Sequence, residues 1–449
     1  MPQGTIATLV IVSLLSLSGL SSPGHSLSGG IAGHEQSSAL SPNPSSKVKA
    51  IKFHALVSGN GKEIPGAVVI VEGDKITAVV TSQSQAPPGA QIIDLSRYTG
   101  IPGLIDVHTH MTYWWDRTPG TNPWEQSDQR MPAKTVFLAQ ENARKTLEAG
   151  VTTVRDLGSS DHSDIAMRDL INAGAMVGPR MFVAGNGLHV SSSPQRPGFT
   201  APDPGKADGV AEVIKVVRQE IAAGVDVIKI YGSTGSDQDV TGFQTYTLEE
   251  LKAAIGVAHK YGKRVAVHSY GPDGARDAVA AGADSVEHAT DMDDETIREM
   301  ARNRTFYVPT IDHNRYYVDH RDEFGYGPEV AARLKDYTAR NLETARRAFK
   351  AGVRFAMGSD AVLTMFGENA RELTWFVKAG MTPEQALTAA TTNGAELLGM
   401  EKTLGAIAPG YFADIVAVDG DPLKDVEVVT TKVRWVMKGG SIVVDKTAP

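Results

Sequence analysis

Ala139-Gln140-Glu141-Asn142-Ala143-Arg144-Lys145-Thr146-Leu147-Glu148-Ala149-Gly150-Val151-Thr152-Thr153-Val154-Arg155-Asp156-Leu157 holds the alternation that decides the fold. Its first part, Ala139–Ala149, has a helical pattern and stops at Ala149-Gly150, glycine being the residue that most readily closes a helix. Its second part, Thr152–Leu157, reads as a strand. The same punctuation returns at Ala223-Gly224, Ala281-Gly282 and Ala351-Gly352, each just before another strand-like run.

Working outward, eight such runs stand between residues 100 and 400: Leu104–His110, Thr152–Leu157, Met181–Gly185, Val225–Tyr231, Arg264–Tyr270, Ser285–Ala289, Thr305–Ile311 and Arg354–Asp360. Helical patterns at Ala139–Ala149, Val210–Ala223, Leu248–Tyr261, Gly274–Ala281 and Asp336–Ala351 separate most of them. Eight strand-then-helix units predict an α/β fold, a (β/α)8 TIM barrel over 101–405, ahead of a doubly wound open sheet. The two ends of the chain have a different texture. Lys49–Val57, Ala67–Val71 and Lys75–Val80, and again Asp414–Val418, Lys432–Met437 and Ser441–Val444, are short strands between glycine-containing turns. They predict a small composite β-sandwich domain built from both chain ends, residues 48–100 with 406–446.

The 449 residues are 41% hydrophobic and 21% charged, so a packed core is expected. A net charge of -8 without a long basic run argues against nucleic-acid binding. Cysteine is absent, which removes disulfides, thiolate ligands, a cysteine nucleophile and a lipoprotein anchor together. Ile6–Leu20 has the length and apolarity of a signal-peptide core, although Met1–Thr5 carries no Lys or Arg. The expectation is a signal peptide over 1–26, a Ser/Gly/Pro-rich flexible leader over 27–47, a periplasmic or secreted product and no stable membrane insertion after cleavage.

In a barrel of this kind the active site lies at the C-terminal ends of the strands. The first strand, Gly103-Leu104-Ile105-Asp106-Val107-His108-Thr109-His110, ends with two imidazoles on one face, because residues i and i+2 share a side. Lys229 stands between Ile228 and Ile230 on the fourth strand, His268 ends the fifth, His288 the sixth, and Asp360 follows Gly358-Ser359 at the end of the eighth. Each alone is most often structural: a hydrogen-bonded histidine, a turn aspartate, a solvated lysine. Six metal-capable groups on one rim predict a metal site. Tyr231, two residues beyond Lys229 on the same face, His189 in the loop after the third strand, and His313 just past the seventh are candidates for the substrate pocket. Tyr113, Trp114, Trp115, Trp124, Phe199 and Tyr316 in the long loops suit an apolar or aromatic group, and Arg315 or Arg196 could meet a carboxylate. His25 and His34 in the leader, His54 in the accessory sheet and His259 on a helix fall away from the rim, and His162, which follows the second strand, is read as a polar loop residue.

This set, HxH on strand 1, Lys on strand 4, His on strands 5 and 6 and Asp on strand 8, resembles the amidohydrolase superfamily over about residues 50 to 445. Lys145–Asp156 and Gly405–Leu423 support the likeness. Within it the chain is similar to the Xaa-Pro and Lys/Arg carboxypeptidase-like enzymes, including ochratoxin-hydrolysing amidohydrolases. The resemblance implies two divalent metal ions, zinc foremost, and Lys229 as N6-carboxylysine. His108, His110 and Asp360 would hold one ion and His268 and His288 the other, with Lys229 between. It implies cleavage of an amide bond to a C-terminal amino acid, in a dipeptide, an N-acyl amino acid or ochratoxin A, by attack of a metal-bridging hydroxide. Asp360 would shuttle the proton and His189 would steady the oxyanion or the substrate. Gly185-Asn186-Gly187-Leu188-His189 departs here from the relatives' Gly-Gly-His. The alternative is an imidazolonepropionase-like cyclic amide hydrolase or a deaminase, against which Lys229 argues. A non-catalytic binding protein would have lost ligands, and none is missing. The partner expected is a small-molecule substrate, on a homo-oligomeric enzyme.

Overall fold

The computed structural model describes residues 48–447 apart from 60, 119–120, 122, 124–125, 127–129 and 193–202. The expected signal peptide and leader lie outside the described residues, as do Trp124, Arg196 and Phe199. Among the described residues no helix is long and apolar enough to cross a membrane.

The chain begins with five strands, β1 (Lys49–Val57), β2 (Glu63–Pro65), β3 (Val68–Glu72), β4 (Lys75–Val80) and β5 (Gln91–Pro102). Then strands and helices alternate: β6 (Leu104–Thr109), α1 (Pro132–Glu148), β7 (Val151–Asp156), α2 (Ser163–Asn172), β8 (Arg180–Val183), α3 (Gly209–Ala223), β9 (Val227–Tyr231), α4 (Leu248–Lys260), β10 (Arg264–Ser269), α5 (Pro272–Ala281), β11 (Ser285–His288), α6 (Asp294–Asn303) and β12 (Phe306–Val308). Three helices, α7 (Ile311–Asp319), α8 (Arg321–Phe324) and α9 (Pro328–Lys350), precede the short β13 (Arg354–Phe355). After further helices the chain ends on β14 (Ile415–Val418), β15 (Val433–Lys438) and β16 (Ser441–Asp445).

β6, β7 and β8 form one parallel ladder and β9 to β13 another. Backbone hydrogen bonds cross both gaps between them. Asp226 N–H donates to Val183 O at 2.8 Å and Leu188 N–H to Lys229 O at 2.9 Å; on the other side Val107 N–H donates to Met357 O at 2.8 Å and Asp360 N–H to His108 O at 2.7 Å. The result is a TIM-barrel-like α/β fold. The strands from the two chain ends meet in one eight-stranded sheet, where β14 lies antiparallel to β5 with Ile101 opposite Val416. Ile51, Phe53, Ile415 and Trp435 from both ends share its apolar core.

Local chemistry explains the helix boundaries. Gly224 and Gly282 close α3 and α5 at φ 97° and 91°, the left-handed conformation in which glycine has no Cβ penalty. Thr247 and Glu250 form a capping box at the start of α4, and Asp293 caps α6 through Thr296 N–H. Three departures from the sequence reading matter to the site. The first helix starts at Pro132, seven residues before Ala139, with proline in the first turn where its missing N–H is harmless. The eighth strand pairs with β12 only over Arg354–Phe355; beyond that Met357 and Asp360 bond β6 instead, and the chain turns at Asp360, φ 52°. The seventh ends at Val308, and Thr310 at φ 48° turns the chain directly into α7. His313 therefore sits in the first turn of a helix, not in a loop.

Candidate metal centre

Alternation along β6 places Asp106, His108 and His110 on one face, and all three are buried. His108 Nδ1 donates to Glu287 Oε2 at 2.9 Å and His110 Nδ1 to the Gly158 carbonyl at 3.0 Å. A proton held on Nδ1 leaves Nε2 of each ring as the lone pair that can bind a metal. Those two Nε2 atoms lie 3.5 and 3.3 Å from Asp360 Oδ1. Asp106 holds the facing chain in place: it accepts from Ser359 N–H at 2.9 Å, from Ser359 Oγ at 2.5 Å and from Asn369 Nδ2 at 2.9 Å.

The other walls come from β9, β10 and β11. Lys229 is in register with Ala266, and His268 with Tyr231, so the lysine enters one layer below the imidazole. His288 ends β11 at φ 67°, a left-handed backbone rare for a non-glycine residue, and its Nδ1 lies 2.6 Å from Thr310 Oγ1. The His268 and His288 rings are 4.5 Å apart, and His108 and His288 5.1 Å. One ligand atom each from His108, His288 and Asp360 falls within 4.8 Å of the others.

Burial dominates the electrostatics. It lowers the His108 imidazole to about 4, with Lys229 adding to the effect, and pushes His268 and His288 well below the ordinary histidine range. The rings are therefore neutral, as ligands must be. Burial also lowers Lys229 to about 8. Burial alone would raise Asp360, but His313, His108 and His110 outweigh it and keep the carboxylate ionised. Glu287 is likewise pulled down against burial, by Arg155 and His108, to about 2.

These residues fit divalent metal ions. His108 Nε2 and Lys229 Nζ are buried and have no hydrogen-bond partner among the described residues. Unpaired buried nitrogen is costly, and four imidazoles beside an ionised carboxylate form a nitrogen–oxygen donor set for such ions, with His108, His268 and His288 held neutral by burial and His110 raised by Asp360 against it.

All six predicted metal ligands line one cavity of about 560 Å³, together with His189, Tyr231 and His313. His189 Nε2 lies 2.6 Å from Asp203 Oδ2 and its Nδ1 3.1 Å from the Gly187 carbonyl. His313 donates from Nδ1 to the Asp360 carbonyl at 2.8 Å, with Nε2 3.3 Å from Asp360 Oδ2, so it touches a ligand and not only the pocket wall. Tyr113 also lines the cavity, whereas Trp114, Trp115 and Tyr316 do not; they bond Glu141, Thr121 and Thr364. Arg315 is not available to a substrate carboxylate, because Asp312, Asp319 and Glu368 hold its guanidinium. His162 pairs with Glu220 behind the site. Glu287, Arg155 and Asp106 escaped the sequence reading; the signal was there, in charged residues inside otherwise apolar strand runs.

The sequence profile of the amidohydrolase family matches residues 99–443. The chain is 30% identical over 429 residues to the ochratoxinase of Aspergillus niger, spanning 88% of this chain and 86% of that protein. Its fold matches a crystal structure of a Xaa-Pro dipeptidase with methionine bound in the active site at TM-score 0.81 and 31% identity, over 88% of this chain and 99% of that one. It also matches a prolidase complexed with N-methylphosphonate-L-proline at TM-score 0.79 and 26% identity, over 89% and 100%. With a metal-fitting cavity at the strand ends and a family match over most of its length, this chain belongs to the amidohydrolase family, in the ochratoxinase- and prolidase-like branch, as a hydrolase acting on C–N amide bonds.

Proposed function

We propose that the protein is a binuclear metal-dependent amidohydrolase that releases a C-terminal amino acid from a dipeptide, an N-acyl amino acid or ochratoxin A. The observation that carries this reading is the convergence of His108, His110, Lys229, His268, His288 and Asp360 on one cavity, with Lys229 Nζ buried and without a hydrogen-bond partner among the described residues. His108, His110 and Asp360 would hold one divalent ion, zinc foremost, and His268 and His288 the other, with Lys229 as its N6-carboxylate between them. When bound, such ions polarise a carbonyl and lower the pKa of a water.

The chain's own groups do the rest. Asp360, ionised and backed by His313, accepts a proton from the attacking water and returns it to the leaving amine. His189 lines the cavity with both ring nitrogens on acceptors, Asp203 and the Gly187 carbonyl, so it would reach the developing oxyanion or the substrate by exchanging one of those bonds for the new one. Tyr231 and His313 complete the substrate wall. The reading includes a closed barrel, supported by the hydrogen bonds across both ladder gaps, and a composite β-sandwich, supported by the single sheet that strands of both chain ends share. It also includes a homo-oligomeric, periplasmic or secreted product.

The test is metal analysis of the purified protein, with a hydrolysis screen over dipeptides, N-acyl amino acids and ochratoxin A. Two equivalents of metal per chain and amino-acid release are expected, both lost in Lys229→Ala. Unchanged activity in that variant would sink the binuclear reading.

A further inference from the structure

One wall of the cavity carries polar atoms without hydrogen-bond partners among the described residues. Tyr270, just past β10, and Tyr317, on α7, both line the cavity. Both are buried, and neither hydroxyl is bonded. Asn314 stands one turn before Tyr317 on the same helix. It too is buried, and neither its Oδ1 nor its Nδ2 has a hydrogen-bond partner among the described residues.

The rings are held by contacts that do not use these atoms. Tyr270 stacks on His268 at 5.2 Å and on Tyr337 at 4.7 Å, and Tyr317 stands edge-on to His313 at 4.9 Å. Burial raises both phenols well above their ordinary range, and smaller effects of Asn314 on Tyr270 and of Tyr270 on Tyr317 mark the three groups as neighbours. Asn314 acts on the Tyr270 hydroxyl without the geometry of a hydrogen bond. Buried polar groups are nearly always paired, and one left unpaired is costly. Three together need a partner from outside the fold. A phenol hydroxyl donates and accepts, a carboxamide donates twice and accepts, and none of the three is charged near neutral pH. A charged group would leave water for a wall that offers it no ion pair. Asp360, close enough to act on both phenols, further opposes an anion.

We propose that Tyr270, Asn314 and Tyr317 form a specificity subsite for a neutral hydrogen-bonding group of the substrate, such as an amide or hydroxyl, carried by the acyl part or by the released amino acid. The proposal rests on the amide-cleaving reading above and deepens it: a substrate with such a group is cleaved in preference to its apolar and its charged isostere.

Leucine, asparagine and aspartate side chains have nearly the same shape. Five peptides therefore separate polarity, charge and position: acetyl-Leu-Leu, acetyl-Asn-Leu, acetyl-Leu-Asn, acetyl-Asp-Leu and acetyl-Leu-Asp. A site built to hydrogen-bond its substrate strongly rejects the analogue that lacks the group. One asparagine peptide is expected to exceed acetyl-Leu-Leu and its own aspartate counterpart tenfold or more in kcat/KM, mainly through KM. Which of the two does so tells whether the group lies on the acyl part or on the released amino acid. The advantage is expected to disappear in Asn314→Leu/Tyr317→Phe, while the thermal midpoint of that variant equals or exceeds wild type, since unpaired polar atoms have been removed. A purely structural role would lower the midpoint instead. The ratio between substrates is internal to each variant, so partial loss of folded protein does not disturb it. An asparagine advantage below tenfold, one that survives the double variant, or a lowered midpoint overturns the subsite and leaves the amidohydrolase reading standing. If none of the five is cleaved, the amide reading fails instead, and calorimetric binding of the same peptides decides the subsite: tighter binding of an asparagine member, lost in the double variant, supports it, and equal binding overturns it.

Discussion

His108 Nδ1 and Glu287 Oε2 lie 2.9 Å apart, although 179 residues separate them in the chain. The other oxygen of the same carboxylate accepts from Arg155 at 2.9 Å and from Ser285 Oγ at 2.5 Å. Glu287 therefore orients a metal-facing imidazole while neutralising a buried guanidinium. Glu287→Gln keeps the shape but leaves Arg155 uncompensated. The expected loss is about 3–5 kcal/mol in urea unfolding of the metal-free protein, with metal affinity down ~10–100-fold in a chelator competition. Wild-type values for both would show that the pair is incidental.

Lys229 makes the opposite prediction. Its buried Nζ has no hydrogen-bond partner among the described residues, so the folded metal-free protein bears its desolvation cost. Lys229→Met should leave the metal-free protein as stable as wild type or more stable by about 1–3 kcal/mol. The same change should remove most of the thermal stabilisation that added metal gives wild type. A destabilised metal-free variant would mean that the lysine has a structural partner.

Gly187 lies against the substrate wall. A Cβ there would stand 2.5 Å from Tyr231 Cε2 and 3.2 Å from Lys229 Cγ, so the tyrosine ring must move. Gly187→Ala should cost about 1–3 kcal/mol of stability from overpacking. It should raise KM about 10-fold, equivalent to ~1.4 kcal/mol of substrate binding, with a smaller change in kcat. Steady-state kinetics with the best substrate checks this; an unchanged KM counts against Tyr231 as a substrate contact.

Glu372 sets a pH dependence. It is fully buried and accepts the N–H groups of Ile311 and Asp312, both at 2.9 Å, at the start of the helix that carries His313. Burial raises its carboxyl to about 8, whereas in the unfolded chain it titrates near ~4.3. The folded protein thus binds the extra proton between those values. The stability from this group is fully present below ~4.3 and is lost as pH rises towards 8. Denaturation midpoints of wild type and Glu372→Gln, taken from pH 5 to 8, should show wild type losing stability relative to the variant as pH rises. A constant gap would place the glutamate pKa in the ordinary range.

Much of the site was legible in the chain because its signals are local. The period of two along Asp106, His108 and His110 assigns them a common face, and the Ala-Gly stops mark where each helix turns back. The reading failed where the signal was distant or the local pattern ambiguous. Thr305–Ile311 looks like one strand, yet Thr310 turns it into a helix that Glu372, 61 residues later, caps at Ile311. Arg315 looks like a free cation until Glu368, 53 residues away, closes on it beside Asp312 and Asp319.

The sequence by itself determined the chemistry available: nitrogen and oxygen ligands without sulfur, at the ends of strands in a strand–helix repeat. Alternation and helix stops are properties of a few neighbouring residues, so they survive without a fold. The tertiary structure decided which nitrogens stay free, since a proton settles on Nδ1 of His108 only where Glu287 stands opposite. It also decided that Asp237 and Asp239 border the same cavity as the imidazoles. Such distances depend on strand register and helix packing summed along the whole chain, and no local pattern carries them.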